Sequence, residues 1–285
     1  MPSSLNLRAG AYARVLDRPL IMGVLNVTPD SFSDGGRFNS LEDALAHARG
    51  MVAAGADIID VGGESTRPGS PGVPSEVELQ RVIPVLNALR AAVDVPLSID
   101  TSKPEVMRQA VATGASMIND VNALRAPGAL EAAVESEAAV CLMHMRGVPR
   151  SMQERPVYRD VVAEVEEFLR ARVRELLGRG VAPERIVLDP GFGFGKTLEH
   201  NRALFRALPR FAALGYPLLV GVSRKSMIGS LLGDRPMDGR VTGSVAAALL
   251  AAQAGAHIVR VHDVRETADA LAMHAALGLP GASEE

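Results

Sequence analysis

Eight times along the chain a short apolar, β-branched run ends on a polar residue or a glycine, and a stretch with helical period follows. The runs are LIMGVLNV (20–27), DIIDVGG (57–63), VPLSID (95–100), SMIND (116–120), AAVCLMH (138–144), RIVLDPG (185–191), PLLVGVS (217–223) and HIVRVHD (257–263). A run that is apolar on both faces reads as a strand buried in a parallel sheet between layers of helix. Helical spacing fills the intervals, for instance over 41–55 and 160–180, and Gly55, Gly114, Gly180, Gly215 and Gly255 follow such stretches where a left-handed C-cap is wanted. The junctions VAAGADIID and AAQAGAHIVR use one helix–glycine–strand device twice. Eight alternating βα units without a Gly/Ser-rich linker predict an α/β fold, a single (β/α)8 TIM barrel spanning 1–285. Its core runs from about 20 to 278, with a flexible C-terminal tail at 280–285. A doubly wound open sheet is the structural alternative. A chain of 285 residues can bury a core without a metal or disulfide staple.

In a barrel of this kind the active site lies on the loops that follow the strands. Those positions hold Asn26, Asp60, Glu64, Asp100, Asn119, Asp120, His144, Asp189, Ser223, Arg224, Lys225, Arg260, His262 and Asp263, whereas the strand starts are much poorer in such groups. The formal net charge of −3 gives no reason to expect nucleic acid or a membrane surface as partner, so an anionic substrate must be met by local Arg and Lys. No apolar run reaches the length of a membrane span, and the N-terminus lacks a secretory pattern, so a cytoplasmic protein is expected. The lone Cys141, inside an apolar run, reads as a buried core thiol.

Asp100, Asn119 and Asp189 end the third, fourth and sixth runs. Carboxylates among apolar neighbours need donors, and three such groups at one mouth suit a flat heterocycle with several N–H groups and a carbonyl. Lys225 could donate to that carbonyl or to a ring nitrogen. The competing reading makes each carboxylate a helix cap, and it is strongest for Asp100, which precedes Thr-Ser-Lys-Pro. Arg260 and His262 share a face of the eighth strand and match the phosphate region common in such barrels; His257 faces the other way, so the histidines offer no paired zinc ligands. Two loops, 26–36 and 62–69, are rich in hydroxyls, glycine and proline and carry Phe32 and Arg67. Their backbone N–H groups suit phosphate oxygens, and Arg67 adds a bidentate donor. The segment Gly191-Phe-Gly-Phe-Gly-Lys-Thr is no P-loop, because Pro190 occupies the first glycine position.

These stretches closely resemble the dihydropteroate synthase family. The matches are Asn26-Val-Thr-Pro-Asp-Ser-Phe-Ser-Asp, Asp60-Val-Gly-Gly-Glu-Ser-Thr-Arg-Pro-Gly, Ser98-Ile-Asp-Thr-Ser-Lys, Ile118-Asn-Asp, Met143-His-Met-Arg-Gly, Asp189-Pro-Gly-Phe-Gly-Phe-Gly-Lys, Ser223-Arg-Lys and Arg260-Val-His-Asp-Val, in family order from about 20 to 275. The resemblance implies a barrel that condenses 6-hydroxymethyl-7,8-dihydropterin diphosphate with p-aminobenzoate, giving 7,8-dihydropteroate and diphosphate. It implies that Asp100, Asn119, Asp189 and Lys225 hold the pterin, with Met143, Phe194 and Gly221 as walls. It implies a diphosphate and Mg2+ site at Asn26, Thr66, Arg67, Arg260 and His262, with Asn26 nearest the metal, and an aminobenzoate side at Phe32, Thr66, Pro68 and Ser226. Catalysis falls on Asp100, Lys225, Arg67, Arg260 and His262. Sulfonamide inhibitors and a homodimer are further implications. The rivals are a pterin-binding methyltransferase barrel, which has no use for a diphosphate loop or for Ser-Arg-Lys, and a pterin-binding paralogue without synthase activity.

Overall fold

The computed structural model describes residues 5–28, 37–65, 69–70, 72–147, 152 and 156–278. Among the described residues ten strands are present: β1 (Asn6–Ala9), β2 (Tyr12–Val15), β3 (Leu20–Asn26), β4 (Ile58–Gly62), β5 (Leu97–Asp100), β6 (Met117–Asp120), β7 (Ala139–Met143), β8 (Ile186–Asp189), β9 (Leu219–Val220) and β10 (Ile258–Val261). Strands β3 to β10 are the eight runs of the sequence. They pair in parallel in the order β8-β7-β6-β5-β4-β3-β10-β9, and a parallel bridge between Leu188 and Leu218 joins the two ends. The ring is therefore the expected (β/α)8 barrel and not an open sheet. The seventh strand is shorter than its apolar run, two residues against seven.

The helices are α1 (Arg37–Ala53), α2 (Ser75–Arg90), α3 (Pro104–Thr113), α4 (Ala129–Val134), α5 (Val161–Gly178), α6 (Leu198–Arg206), α7 (Leu208–Ala212), α8 (Ser226–Leu231), α9 (Val241–Gln253) and α10 (Val264–Leu277). Helix α5 shows how one forms. Asp160 caps it by accepting from the N–H groups of Val162 (3.0 Å) and Ala163 (3.1 Å). Val161, Val165, Leu169, Val173 and Leu176, three or four residues apart, make its buried stripe. Each such side chain contributes roughly 1.5–3 kcal/mol by leaving water.

Strand parity sorts the barrel residues into two sets. Ile21, Leu25, Ile59, Val61, Ile99, Ile118, Val140, Leu142, Ile186, Leu188, Val220 and Val259 face the helices in one large cluster. Leu20, Met22, Ile58, Met117, Ala139, Cys141, Val187, Leu219 and Ile258 point inward and fill the lower barrel. The apolar interior stops there, and the next inward residue on most strands is polar.

An element outside the eight runs closes the bottom. Strands β1 and β2 form an antiparallel hairpin turning at Gly10-Ala11, and Leu7 and Ala9 join the interior cluster as a plug. Asp57 ties this region to the barrel, accepting from Arg14, Arg18 and the Ile21 N–H. The ordered unit thus begins well before residue 20, because the lower barrel would otherwise open to solvent.

A candidate active site at the upper mouth of the barrel

The parallel register sets Asn26, Gly62, Asp100 and Asn119 side by side on β3, β4, β5 and β6. Gly62 leaves the gap that brings its neighbours together: a Cβ there would sit 3.7 Å from Asn26 Oδ1 and 3.6 Å from Asp100 Cβ. One inward step below lies Asp60, fully buried. Its Oδ2 accepts from Arg260 Nε at 2.7 Å and from Asn119 Nδ2 at 3.1 Å. The Arg260 guanidinium also donates to Asp100 Oδ2 at 2.7 Å, so one cation is shared by two acids.

Two oxygens in this group, Asp60 Oδ1 and Asp100 Oδ1, are buried without a hydrogen-bond partner among the described residues. An unpaired buried acceptor costs about 1–3 kcal/mol, and such a group calls for a reason. A ligand with N–H donors supplies one. Burial pushes the Asp100 carboxyl up to about 7; Arg260 opposes the rise and Asp60 adds to it. The two acids hold the Arg260 guanidinium in its charged form, against the cost of its burial.

Asp189 stands opposite, level with Met143 of β7 in the ladder. Burial raises its pKa, against Lys225 and the Gly191 N–H, which donates to Oδ1 at 2.7 Å. Lys225 Nζ donates to the Phe192 carbonyl and lies 4.6 Å from the centre of the Phe194 ring. Burial pushes this ammonium down to about 8. Met143 and Phe194 pack with Val121, Met145 and Met152 in a small apolar cluster beside the acids. Gly221 faces Arg260: a Cβ there would lie 3.7 Å from Arg260 Cβ. The result is a slot with soft apolar walls and acceptors along one edge.

Of the residues marked from sequence, Asp100, Asn119, Asp189, Lys225, Arg260, Met143, Phe194 and Gly221 converge here. His262 lies two residues beyond Arg260, its Nδ1 3.1 Å from Ser223 Oγ. Ser226 is exposed at the start of α8. Phe32, Thr66, Arg67 and Pro68 lie outside the described residues. The capping alternative fails for Asp100, since the N-cap of α3 is Lys103 and receives no side-chain bond. Asp120, which faces the helices, caps no helix either: it accepts from the Asn122 and Leu124 N–H groups of the turn that follows β6, both at 2.7 Å, while α4 has Gly128 at its N-cap.

Sequence reasoning placed Asp60 at a strand end but gave it no role. Its parity with Gly62 was the available signal; its contacts to Arg260 and Asn119 needed the closed barrel. The anchoring of the second loop was also missed. Glu64 accepts from Val73 N (2.8 Å) and Lys103 Nζ (2.6 Å), and the same ammonium meets the fully buried Glu78.

A family model for pterin binding enzymes matches residues 22–262. Dihydropteroate synthase of Escherichia coli K12 is 56% identical over 256 residues, 90% of each chain. Among solved structures, Xanthomonas albilineans dihydropteroate synthase with 4-aminobenzoic acid superposes with a TM-score of 0.91 at 52% identity, covering 98% of this chain and 100% of that one. Yersinia pestis dihydropteroate synthase in a sulfonamide drug complex gives 0.90 at 49% identity, covering 96% and 99%. The Burkholderia cenocepacia enzyme complexed with 7,8-dihydropteroate gives 0.88 at 50% identity, covering 96% of both. A barrel whose inward polar layer forms such a slot, with this likeness over nearly its whole length, belongs to the pterin-binding enzymes and, within them, to the dihydropteroate synthase family.

Proposed function

We propose that the chain condenses 6-hydroxymethyl-7,8-dihydropterin diphosphate with p-aminobenzoate, forming 7,8-dihydropteroate and releasing diphosphate. The observation that carries this reading is the set of buried acceptors, Asp100 and Asp189, lined up with Asn119 and Lys225 beside an apolar slot. A pterin ring offers the complementary pattern: an amino group and ring N–H for Asp189, and a carbonyl or ring nitrogen for Lys225. Solved relatives hold 4-aminobenzoic acid and 7,8-dihydropteroate.

The difficult step is breakage of the bond between the pterin methylene carbon and the diphosphate oxygen. Arg67, Arg260 and His262 stabilise charge growing on the leaving group, with Asn26 and Thr66 completing that side. Arg260 works from a fixed position, because Asp60 and Asp100 grip two faces of its guanidinium. The Asp100 carboxylate stabilises positive charge spreading into the ring. The amine of p-aminobenzoate, held by Phe32, Thr66, Pro68 and Ser226, attacks the carbon as diphosphate leaves, and its surplus proton passes to solvent. Sulfonamides, which copy the aminophenyl ring, compete at this place, as the Yersinia pestis complex supports.

Mg2+ fits the donors present. Among the described residues no cluster of three or more His, Cys, Asp or Glu forms a dedicated metal cage. An isolated amide oxygen such as Asn26 Oδ1, close to Asp100, suits a cation that takes one or two protein oxygens and the rest from phosphate and water. When bound there, Mg2+ neutralises charge on the diphosphate.

The protein works in the cytoplasm in this reading, as a homodimer. Leu231, Leu232, Met237, Leu250, Met273 and Leu277, all exposed on α8, α9, α10 and the turn between α8 and α9, supply apolar surface for a second copy. Purified protein with both substrates and Mg2+ should form dihydropteroate and diphosphate one for one, and a chelator should suppress the reaction. Pterin binding without product would leave only the non-synthase paralogue.

A further inference from the structure

Lys196 closes the Gly-Phe-Gly-Phe-Gly-Lys segment that the sequence singled out and the proposed chemistry leaves unused. The structure turns this lysine inward. It is 3% exposed, and its Nζ lies within hydrogen-bond distance of four acceptors: the Gly191 carbonyl (2.8 Å), the Phe194 carbonyl (3.1 Å), the His144 carbonyl (3.2 Å) and His144 Nδ1 (3.0 Å). An ammonium has three hydrogens to give, so this is a site built around a donor. Burial and the nearby cations hold the His144 imidazole neutral, leaving Nδ1 free to accept.

These contacts join two walls of the slot. His144 follows Met143 of β7; Gly191 and Phe194 follow Asp189 of β8. The two loops touch backbone to backbone at Gly191 and Gly195, where a Cβ would fall 1.9 Å from the His144 carbonyl oxygen and 2.3 Å from that of Arg146. Side chains pin the rest of the β8 loop. Lys225 holds the Phe192 carbonyl, Asn201 Oδ1 accepts from the Gly193 N–H at 2.8 Å, and Tyr158 donates to the Gly195 carbonyl at 2.9 Å. Tyr158, itself in the β7–α5 loop, makes one bond across to the β8 loop, whereas the Lys196 ammonium gathers carbonyls of both loops and the His144 ring at a single point.

We propose that Lys196 is a positioning residue for the pterin slot: its ammonium fastens the β8–α6 loop to the β7–α5 loop and so sets the gap between Met143, Phe194 and Asp189. It has no direct part in the reaction, since its donors are consumed behind the wall. The inference rests on the slot being a pterin site. It goes beyond that reading by naming the residue that fixes the slot's width.

Lys196→Met keeps the aliphatic stem and removes the donors, and Lys196→Gln keeps two N–H groups on a shorter arm. The dissociation constant of a pterin lacking diphosphate is measured by calorimetry for wild type and both variants, together with thermal stability and KM for p-aminobenzoate at saturating pterin diphosphate. Lys196→Met should weaken pterin binding about 10- to 100-fold, as expected when buried carbonyls lose their donors. Lys196→Gln should fall between it and wild type, and KM for p-aminobenzoate should stay within about twofold in both. If Lys196→Met does not fold, the same comparison is made on Lys196→Gln. Folded variants with wild-type pterin affinity, however much their melting temperatures drop, would overturn the proposal and reduce Lys196 to a stabilising residue. A wild-type protein that binds no pterin would instead sink the functional reading on which the proposal rests.

Discussion

Gly191 and Gly193 offer a matched pair of substitutions whose outcomes should diverge. Both have positive φ, +71° and +81°. Alanine at either position therefore meets the same left-handed penalty, about 1–2 kcal/mol. Their surroundings differ. A Cβ on Gly193 would touch Lys225 Cδ at 3.4 Å, an ordinary contact. A Cβ on Gly191 would lie 1.9 Å from the His144 carbonyl oxygen, so the two loops must part by about 1.5 Å to reach normal separation. Overpacking of this kind costs about 1–3 kcal/mol more, because backbone has to move and no flexible side-chain end can give way. Gly193→Ala should thus lose about 1–2 kcal/mol and Gly191→Ala about 2–5 kcal/mol in urea unfolding. Function should separate them further. Moving the His144 segment displaces Met143, Asp189 and the Lys196 clasp together, and a displacement near 1 Å can cost about 100-fold in rate. Gly193→Ala should keep kcat/KM within about tenfold of wild type, while Gly191→Ala falls by about 100-fold or more. Equal losses in both variants, in stability and in kcat/KM, would show that left-handed strain alone explains these glycines and that the close approach of the loops is not needed.

Asp189→Asn turns an acceptor into a donor facing ring N–H groups, and pterin affinity should drop by about 10- to 100-fold in calorimetry, since the cost of such a buried mismatch is about 1–3 kcal/mol; an unchanged dissociation constant would remove Asp189 from the slot. Asp100 predicts a pH effect. Its pKa is raised in the folded chain, chiefly by burial, to about 7, so the folded state binds its proton more tightly than the unfolded state does. Stability held through that proton is full below the ordinary carboxylate range near pH 4 and is lost as pH rises to 7. The difference in unfolding free energy between wild type and Asp100→Asn should therefore shift by about 2–4 kcal/mol between pH 4 and 7, to the disadvantage of wild type at the upper end. A difference that stays flat over that range contradicts the raised pKa.

The barrel was legible in the sequence because its signals are local. Eight runs apolar on both faces can only be buried strands, and the glycines after the helices mark where each unit turns back; Gly55, Gly114, Gly180, Gly215 and Gly255 all have positive φ. Strand ends were also legible, which is why Asp100, Asn119, Asp189 and Arg260 could be marked in advance and why parity set Arg260 apart from His257. The hairpin at 6–15 escaped notice, since its strands, Asn-Leu-Arg-Ala and Tyr-Ala-Arg-Val, are half-exposed and break their apolar residues with polar ones, and what makes them matter is the open lower barrel they fill.

What the chain could not declare along its length is which marked residues touch. Asp60 and Arg260 are 200 positions apart and meet only because β10 lies beside β3 in a closed ring. The sequence excluded the Lys196 segment as a P-loop and left the lysine without a role, and only packing of the β8 loop against the β7 loop turns its ammonium inward to four acceptors. Residue type and spacing decide which groups face the barrel, because those follow from backbone geometry within a few residues. Distance, burial and charge state arise between segments remote in sequence, so the pairing of Arg260 with two acids and the rise in the Asp100 pKa were settled by the tertiary structure alone.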